Sequence, residues 1–366
     1  MQDHDLVSVV LPVHNGAATV DETLRSVRSQ TYGNLEIIVV DDGSDDATLD
    51  IVSRHAAADW RVRPHRQPQG GVAAARNTGI AQARGKVLAF IDADDLWAPE
   101  KIAKQIAALR AAGPQYAVVY TWYALIDKDS RIIDRSYRPS DSGDVLARLC
   151  YGNLVGNGSS AIITKAALLE AGGFDPSLRA RSAQGCEDLQ LYFLIAERHR
   201  FALVPEYLTG YRRTPTNMSS DLLQMYRSWM LVTGDMKRRQ PMLATAIEKG
   251  RNLFIGGLLE RAIAFRQPAP ALFLASQLLR RDPMILAGIV SSRVRGVISR
   301  SCPHSIGSQL PTPERFVIGD SARPSRDRGE EKNSAGLGES LSRSHGEVAE
   351  NPSSRPSAGR ENHGPA

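Results

Sequence analysis

The sequence predicts an α/β protein built on a parallel sheet, continued by a helical region and an unfolded tail. Nearly unbroken apolar runs at Leu6–Leu11, Leu35–Val40 and Val87–Ile91 have the pattern of strands covered on both faces. Helix-patterned stretches separate the runs, so strand, helix and strand form βαβ crossovers. From residue 303 onward Ser, Pro, Gly, Arg and Glu dominate, and such a segment buries too little surface to offset chain entropy.

Taken in order, the first run breaks into the loop Pro12-Val13-His14-Asn15-Gly16. Thr19 is placed to cap the next helix, with Glu22 as its box partner and Leu24 and Val27 on its apolar face. The second run ends in Asp41-Asp42-Gly43-Ser44-Asp45-Asp46, and a helix over 47–58 follows. Val62–Arg66 reads as a third strand. Gly70-Gly71 then opens a helix ending near Gly85, with Arg76 at its middle. The fingerprint G-x-G-x-x-G is absent after the first strand, so a Rossmann dehydrogenase is rejected; no Walker lysine loop occurs either.

The stretch 86–100, KVLAFIDADDLWAPE, organises the rest. Asp92, Asp94 and Asp95 follow its apolar run directly, and Pro99 and Glu100 suit the first turn of a helix over 99–112. The acids therefore fall on a loop at a strand's carboxyl end, the edge where open α/β sheets bind ligands. Three like charges in four positions call for a positive partner. Mg²⁺ or Mn²⁺, held by one or two carboxylates plus substrate phosphates, answers that need; a solvated acidic turn capping the next helix is the equal alternative from this stretch alone.

Downstream, strands are expected near 116–123 and over 159–164, with a hairpin at Ile132-Ile133 and a short helix over 165–170. Glu187-Asp188 open a helix whose Leu189, Tyr192, Phe193 and Ala196 share a face. Helix-dipole stabilisation alone would account for the two acids, at under ~1 kcal/mol each. A strand over 201–204 and an extended segment over 209–214 complete this part, expected to run from 1 to 220. Residues 221–302 are helix-patterned, with breaks at Gln240-Pro241 and Gln267-Pro268. Ile255, Leu258, Leu259 and Ala262 form one apolar face, and Leu272, Ala275, Leu278 and Leu279 another. These helices need the α/β part or a partner to cover them. Met284–Ile298, with Arg293 and Arg295, reads as a core helix before a membrane-surface one. Residues 303–366 are expected to be disordered.

Composition sets the outer bounds. A chain of 366 residues holds about two domains. Its net charge of +5 is too diffuse for a nucleic-acid partner but suits an anionic ligand or membrane surface. Cys150, Cys186 and Cys302 lack metal-type spacing, which points to a reducing, cytoplasmic setting. Neither a signal peptide nor a membrane-spanning run is expected.

Read together, VVLPVHN, LEIIVVDDGSDD, GGVAAARNTGIAQARGKVLAFIDADD, AGGFDPSL and GCEDLQL, in that order, closely resemble the family 2 glycosyltransferases over roughly residues 5–215. The resemblance implies the A-type glycosyltransferase fold, a mixed, mostly parallel sheet flanked by helices. It implies an inverting enzyme that uses Mg²⁺ or Mn²⁺ and a nucleotide diphosphate sugar, commonly a UDP-sugar, with a hydroxyl acceptor. Asp42 falls where the family's acid meets the base, with Pro12, His14 and Asn15 beside it, and Arg76 where a cation meets the nucleotide. Asp92 and Asp94 match the D-x-D acids, Asp94 being the better metal ligand. Asp188 matches the catalytic base, with Glu187 next to it. Lacking Q-x-x-R-W, the chain is expected to add one sugar, in cell-surface polysaccharide or lipid-linked oligosaccharide synthesis, at most peripherally at the inner membrane face. The rival readings are a sugar nucleotidyltransferase, whose glycine- and arginine-rich first loop is missing, and a non-catalytic nucleotide-sugar sensor. Tyr211-Arg212-Arg213 would reach the diphosphate from a closing loop.

Overall fold

The computed structural model describes residues 5–135, 138–214, 217–300 and 314–316; beyond residue 291 the last helix is described by its backbone alone. The first half runs β1 (Val7–Val13), α1 (Val20–Arg28), β2 (Leu35–Asp41), α2 (Thr48–Ala58), β3 (Val62–Arg66), α3 (Val72–Gln82) and β4 (Val87–Phe90). Then come β5 (Leu96–Trp97), α4 (Lys101–Ala112), β6 (Tyr116–Ile126), β7 (Ile132–Asp134), α5 (Leu146–Leu149), β8 (Ala161–Thr164), α6 (Lys165–Glu170), α7 (Ser177–Ala180), α8 (Glu187–Ala196) and β9 (Arg200–Arg212). Four longer helices follow: α9 (Leu222–Arg239), α10 (Ala244–Ala264), α11 (Pro268–Arg281) and α12 (Pro283–Arg300).

Among the described residues the strands form one sheet in the order β3-β2-β1-β4-β8-β6-β9-β5, with β7 on β6. The crossover helices make β1, β2, β3 and β4 parallel, whereas β8 runs antiparallel to both β4 and β6. The sheet is therefore mixed. Its strands alternate between two cores: Val10, Ile38, Val40, Leu88 and Phe90 point into one, and Val9, Leu11, Ile37, Val39 and Ala89 into the other. Burial on both faces is why the runs carry so few polar residues.

β1 extends through Pro12, past the expected end of the strand. Its last partner in β4 is Val10, opposite Phe90, while pairing with β2 continues to Val13 opposite Asp41. Pro12 shares Val10's edge, where β4 has already ended, so its missing N–H leaves no ladder bond unmade.

Several local expectations are corrected. Thr19 does precede α1, but its side chain makes no cap. Glu22 instead accepts from Ser130 and Arg212, so no capping box forms. Leu96-Trp97 forms a short strand against β9, and the strand and extended segment expected over 201–214 are one continuous strand. On α11 the buried positions are Leu274 and Leu278, whereas Leu272 and Leu279 are exposed.

Trp229, Val232, Met236 and Ile247, from α9 and α10, belong to the same core as one face of the sheet. Ile285, Leu286 and Ile289 of α12 pack with Ile255, Leu258 and Leu274, so the described part of α12 is a core helix. Among the described residues no helix is long and apolar enough to cross a membrane. Of the segment 303–366 only Glu314–Phe316 are described, and these three are ordered against the sheet; the rest lies outside the described residues.

Candidate active site

Because β1, β2 and β4 are parallel neighbours, their carboxyl-end loops gather at one edge of the sheet. A cavity of about 780 Å³ opens there, and Pro12, His14, Asn15, Arg76, Asp92, Asp94, Glu187 and Asp188 all line it. Asp42 lines an adjoining hollow of about 240 Å³ that shares Pro12, Val13 and His14 with the larger one. All nine sequence-predicted residues thus border one composite cleft.

The loops after β1, β2 and β3 are laced to each other. The Asp42 carboxylate accepts N–H bonds from Gly70, Gly71 and the Gln67 side chain, each at 2.7 Å. A carboxylate offers about four acceptor positions, so one is left for a ligand. Asn15 adopts a φ of 52°, a left-handed conformation that asparagine tolerates. Its side-chain oxygen accepts from the Asp45 N–H, and its own N–H donates to Ser44. His14 meets Gln69 at 2.9 Å.

Arg76 is buried, with its guanidinium 5.0 Å above the Phe174 ring and 2.6 Å from the Asp92 carboxylate. Burial works against its charge, but Asp92, Glu187 and Asp188 together outweigh that and hold the arginine above its ordinary pKa. Its Nε has no partner among the described residues. Arg76 therefore stands between the D-x-D loop and the cavity as an already paired cation.

The acids behave differently from one another. Burial, then repulsion from Asp92, pushes Asp94 up to about 6. Its nearest side-chain donor, Asn217, is a long 3.4 Å away. Asp95 is fully enclosed, accepting from the Ser159 hydroxyl at 2.5 Å and the Arg212 N–H at 2.9 Å. Burial raises it well above the usual carboxylate range. On the same cavity, Asp188 accepts from Asn153 at 2.9 Å and from the Leu189 N–H at 2.8 Å. Burial lifts it to about 6, against the pull of Arg76. Burial also raises Glu187, whose carboxylate accepts the Gly185 N–H at 2.8 Å. Acids so enclosed are more than solvated dipole partners at a helix end.

Arg212 departs from expectation. It lines the cavity, but its donors go to the Asp94, Asp127 and Lys128 carbonyls, Ser130 and Glu22, so none is left for a diphosphate. Arg213 is exposed. Other lining residues carried no sequence signal: Asn153, Asn157, Asn217, Trp229 and Phe254. The last two come from α9 and α10 and stack with centroids 4.0 Å apart and planes at 9°. The buried Trp229 indole nitrogen has no partner among the described residues.

Comparisons with known proteins agree with this geometry. A Bacillus subtilis (strain 168) relative, described as the putative teichuronic acid biosynthesis glycosyltransferase TuaG, is 28% identical over 244 residues, or 66% of this chain and 92% of its own. The chain spans only 19% of the length of another curated relative and 55% of a third. The structure of S. aureus TarS 1-349 in complex with UDP-GlcNAc superposes with a TM-score of 0.57, at 17% identity, covering 75% of this chain and 81% of that one. The mannosyltransferase PcManGT from Pyrobaculum calidifontis, in complex with GDP-Man and Mn²⁺, gives 0.53 at 20% identity, covering 80% and 87%. At such identities the two structures share the fold. Residues 8–171, which hold Asp42, Arg76, Asp92 and Asp94, match the family model Glycosyl transferase family 2.

Proposed function

We propose that this chain is an inverting enzyme that moves one sugar from a nucleotide diphosphate sugar, a UDP-sugar first among them, to a hydroxyl acceptor. The carrying observation is that two half-buried acids raised to about 6, Asp94 and Asp188, come from separate elements to line one cavity. TarS with UDP-GlcNAc and PcManGT with GDP-Man support a nucleotide sugar as donor. The hollow beside Asp42 suits the base, and the main cavity the diphosphate and sugar.

The acceptor oxygen forms a bond to the sugar's anomeric carbon as the bond to the diphosphate breaks on the opposite face. Asp188 takes the hydroxyl proton, a general-base role worth roughly 10²–10⁴-fold. Its pKa near 6 leaves it ionised at neutral pH yet more basic than a solvated aspartate. Asn153 and the Leu189 N–H hold it in place.

A divalent cation fits the donor side. Asp94 is crowded by Asp92 and weakly hydrogen-bonded, so a hard cation would relieve it. Among the described residues no three or more His, Cys, Asp or Glu cluster to cage a metal. Asp94, with Asp92, would share Mg²⁺ or Mn²⁺ with phosphate oxygens, as such ions prefer. When bound, the ion offsets charge on the departing diphosphate.

The acceptor side is closed by Trp229 and Phe254, and the unpartnered indole N–H suits an oxygen of a saccharide. The teichuronic acid relative supports a role in cell-surface polysaccharide or lipid-linked saccharide synthesis. Exposed Leu272 and Leu279 beside Arg280 and Arg281 suit peripheral contact with an anionic membrane at its inner face. Thermal-shift titration with UDP, GDP and their sugars, with and without Mn²⁺, tests the donor; ligands of the folded state raise its apparent stability. A nucleotide-sugar sensor would bind without releasing nucleoside diphosphate, so absent turnover with every donor that binds would overturn the catalytic reading.

A further inference from the structure

Glu314–Phe316, far along the chain from the cleft, sit on the β6–β7 hairpin beside the acidic loop. Ile132 donates its N–H to the Glu314 carbonyl and Phe316 donates its own to the Ser130 carbonyl, each at 2.7 Å, with Arg131 and Arg315 bridged antiparallel. The Phe316 ring is buried over Gly210; a Cβ added there would lie 3.1 Å from the ring and press on it.

That seat is two residues before Arg212, whose Nε–H holds the Asp94 carbonyl at 2.7 Å and whose backbone N–H holds the Asp95 carboxylate. Its remaining donors reach the hairpin turn and Glu22. Glu22 in turn accepts from Ser130 at 2.8 Å and faces Arg315 at 3.5 Å. Ser130 holds a left-handed φ of 63° while its carbonyl takes the Phe316 N–H. A continuous path of packed and hydrogen-bonded groups thus links Arg315 and Phe316, through Ser130, Glu22 and Arg212, to Asp94 and Asp95.

We propose that residues 314–316 are a strap that positions the Asp92–Asp95 loop and thereby sets its affinity for a divalent cation with nucleotide diphosphate. The affinity part rests on the donor-binding reading above. Phe316 and Arg212 are positioning residues that act through Asp94 and Asp95. A buried guanidinium with every donor engaged has one arrangement. Lifting Phe316 admits water beside Gly210, which competes for those donors and loosens the loop.

The test uses the full chain with Phe316→Ala, Phe316→Leu and the surface change Arg315→Ala. Amide hydrogen exchange reads the loop without any ligand, and calorimetry reads UDP binding across a Mn²⁺ titration. In Phe316→Ala, exchange over residues 94–97 quickens about tenfold while that of α3 is unchanged. The Mn²⁺ midpoint for UDP binding rises about tenfold, and metal-free UDP binding does not move. Phe316→Leu restores both, and Arg315→Ala shows the same direction at about twofold. Exchange and Mn²⁺ midpoint both unchanged in a folded Phe316→Ala overturn the strap. Should Phe316→Ala fail to fold, unchanged loop exchange in Arg315→Ala does so. Failure of the wild-type chain to bind UDP removes the donor reading instead, and the exchange data still decide the positioning claim.

Discussion

The two walls of the cleft are built in different ways. On the proposed donor wall, Asp42 and Asp92 sit within two residues of the buried strands before them, each tied to a backbone or side-chain donor. On the proposed acceptor wall, Asp188 shares the cavity lining with Trp229 and Phe254 from helices more than forty positions on, and the buried indole N–H is unpartnered among the described residues. The first wall places its acids on loops next to strands and holds them by ties between those loops. The second is assembled from helices distant in the chain.

The comparison predicts where damage should fall. Asp188→Asn has the largest effect: transfer drops by roughly 10²–10⁴-fold in steady-state assays. The same variant should be more stable at pH 7.5, by about 1–3 kcal/mol in denaturant melts, because it removes a buried charge. The sign follows from linkage: Asp188 is raised in the folded chain, so folded protein binds the proton more tightly. Its contribution to stability is therefore favourable at low pH and lost as pH rises through about 6. A less stable Asp188→Asn would show that the carboxylate is a structural anchor.

Acidity is the next lever. Transfer by the wild-type chain should fall about tenfold per pH unit below about 6, as the base takes up its proton. A flat kcat/KM from pH 7 to 5 would remove Asp188 from that role. Gly250→Ala should follow in size. A Cβ at Gly250 would lie 1.7 Å from the Cys150 carbonyl oxygen, so α10 must shift and carry Phe254, one turn on, with it. Overpacking of this kind costs about 1–3 kcal/mol, and the acceptor KM should rise while the donor KM stays put. Trp229→Phe is the mildest: it keeps an aromatic ring and deletes one N–H, about 1 kcal/mol in acceptor affinity. An unchanged acceptor KM would place the acceptor elsewhere.

The same contrast explains what could be read from the sequence. Asp42, Asp92 and Asp94 were legible because a strand's apolar run points its carboxyl end at a known edge of the sheet, and chain neighbours then share the site. The pairing of Arg76 with Asp92 was not legible, since the two are joined only when α3 packs beside β4. Arg212 read as a cation reaching the diphosphate from a closing loop; only the folded chain shows its donors consumed by carbonyls and Glu22. Leu272 and Leu279 misled for a simpler reason: on α11 apolar residues occupy two faces, and periodicity does not say which is covered. Phe316 opens the short apolar triplet Phe316-Val317-Ile318 within a long polar segment, whose composition outweighs it.

The division of labour between the walls is most directly tested by calorimetric titration of UDP into wild type, Asp94→Ala and Asp188→Asn, each with and without Mn²⁺. Wild type and Asp188→Asn should show the same Mn²⁺-dependent gain in affinity, and Asp94→Ala should lose it. A gain that survives in Asp94→Ala, or disappears in Asp188→Asn, would contradict the assignment of cation and base to opposite sides of the cleft.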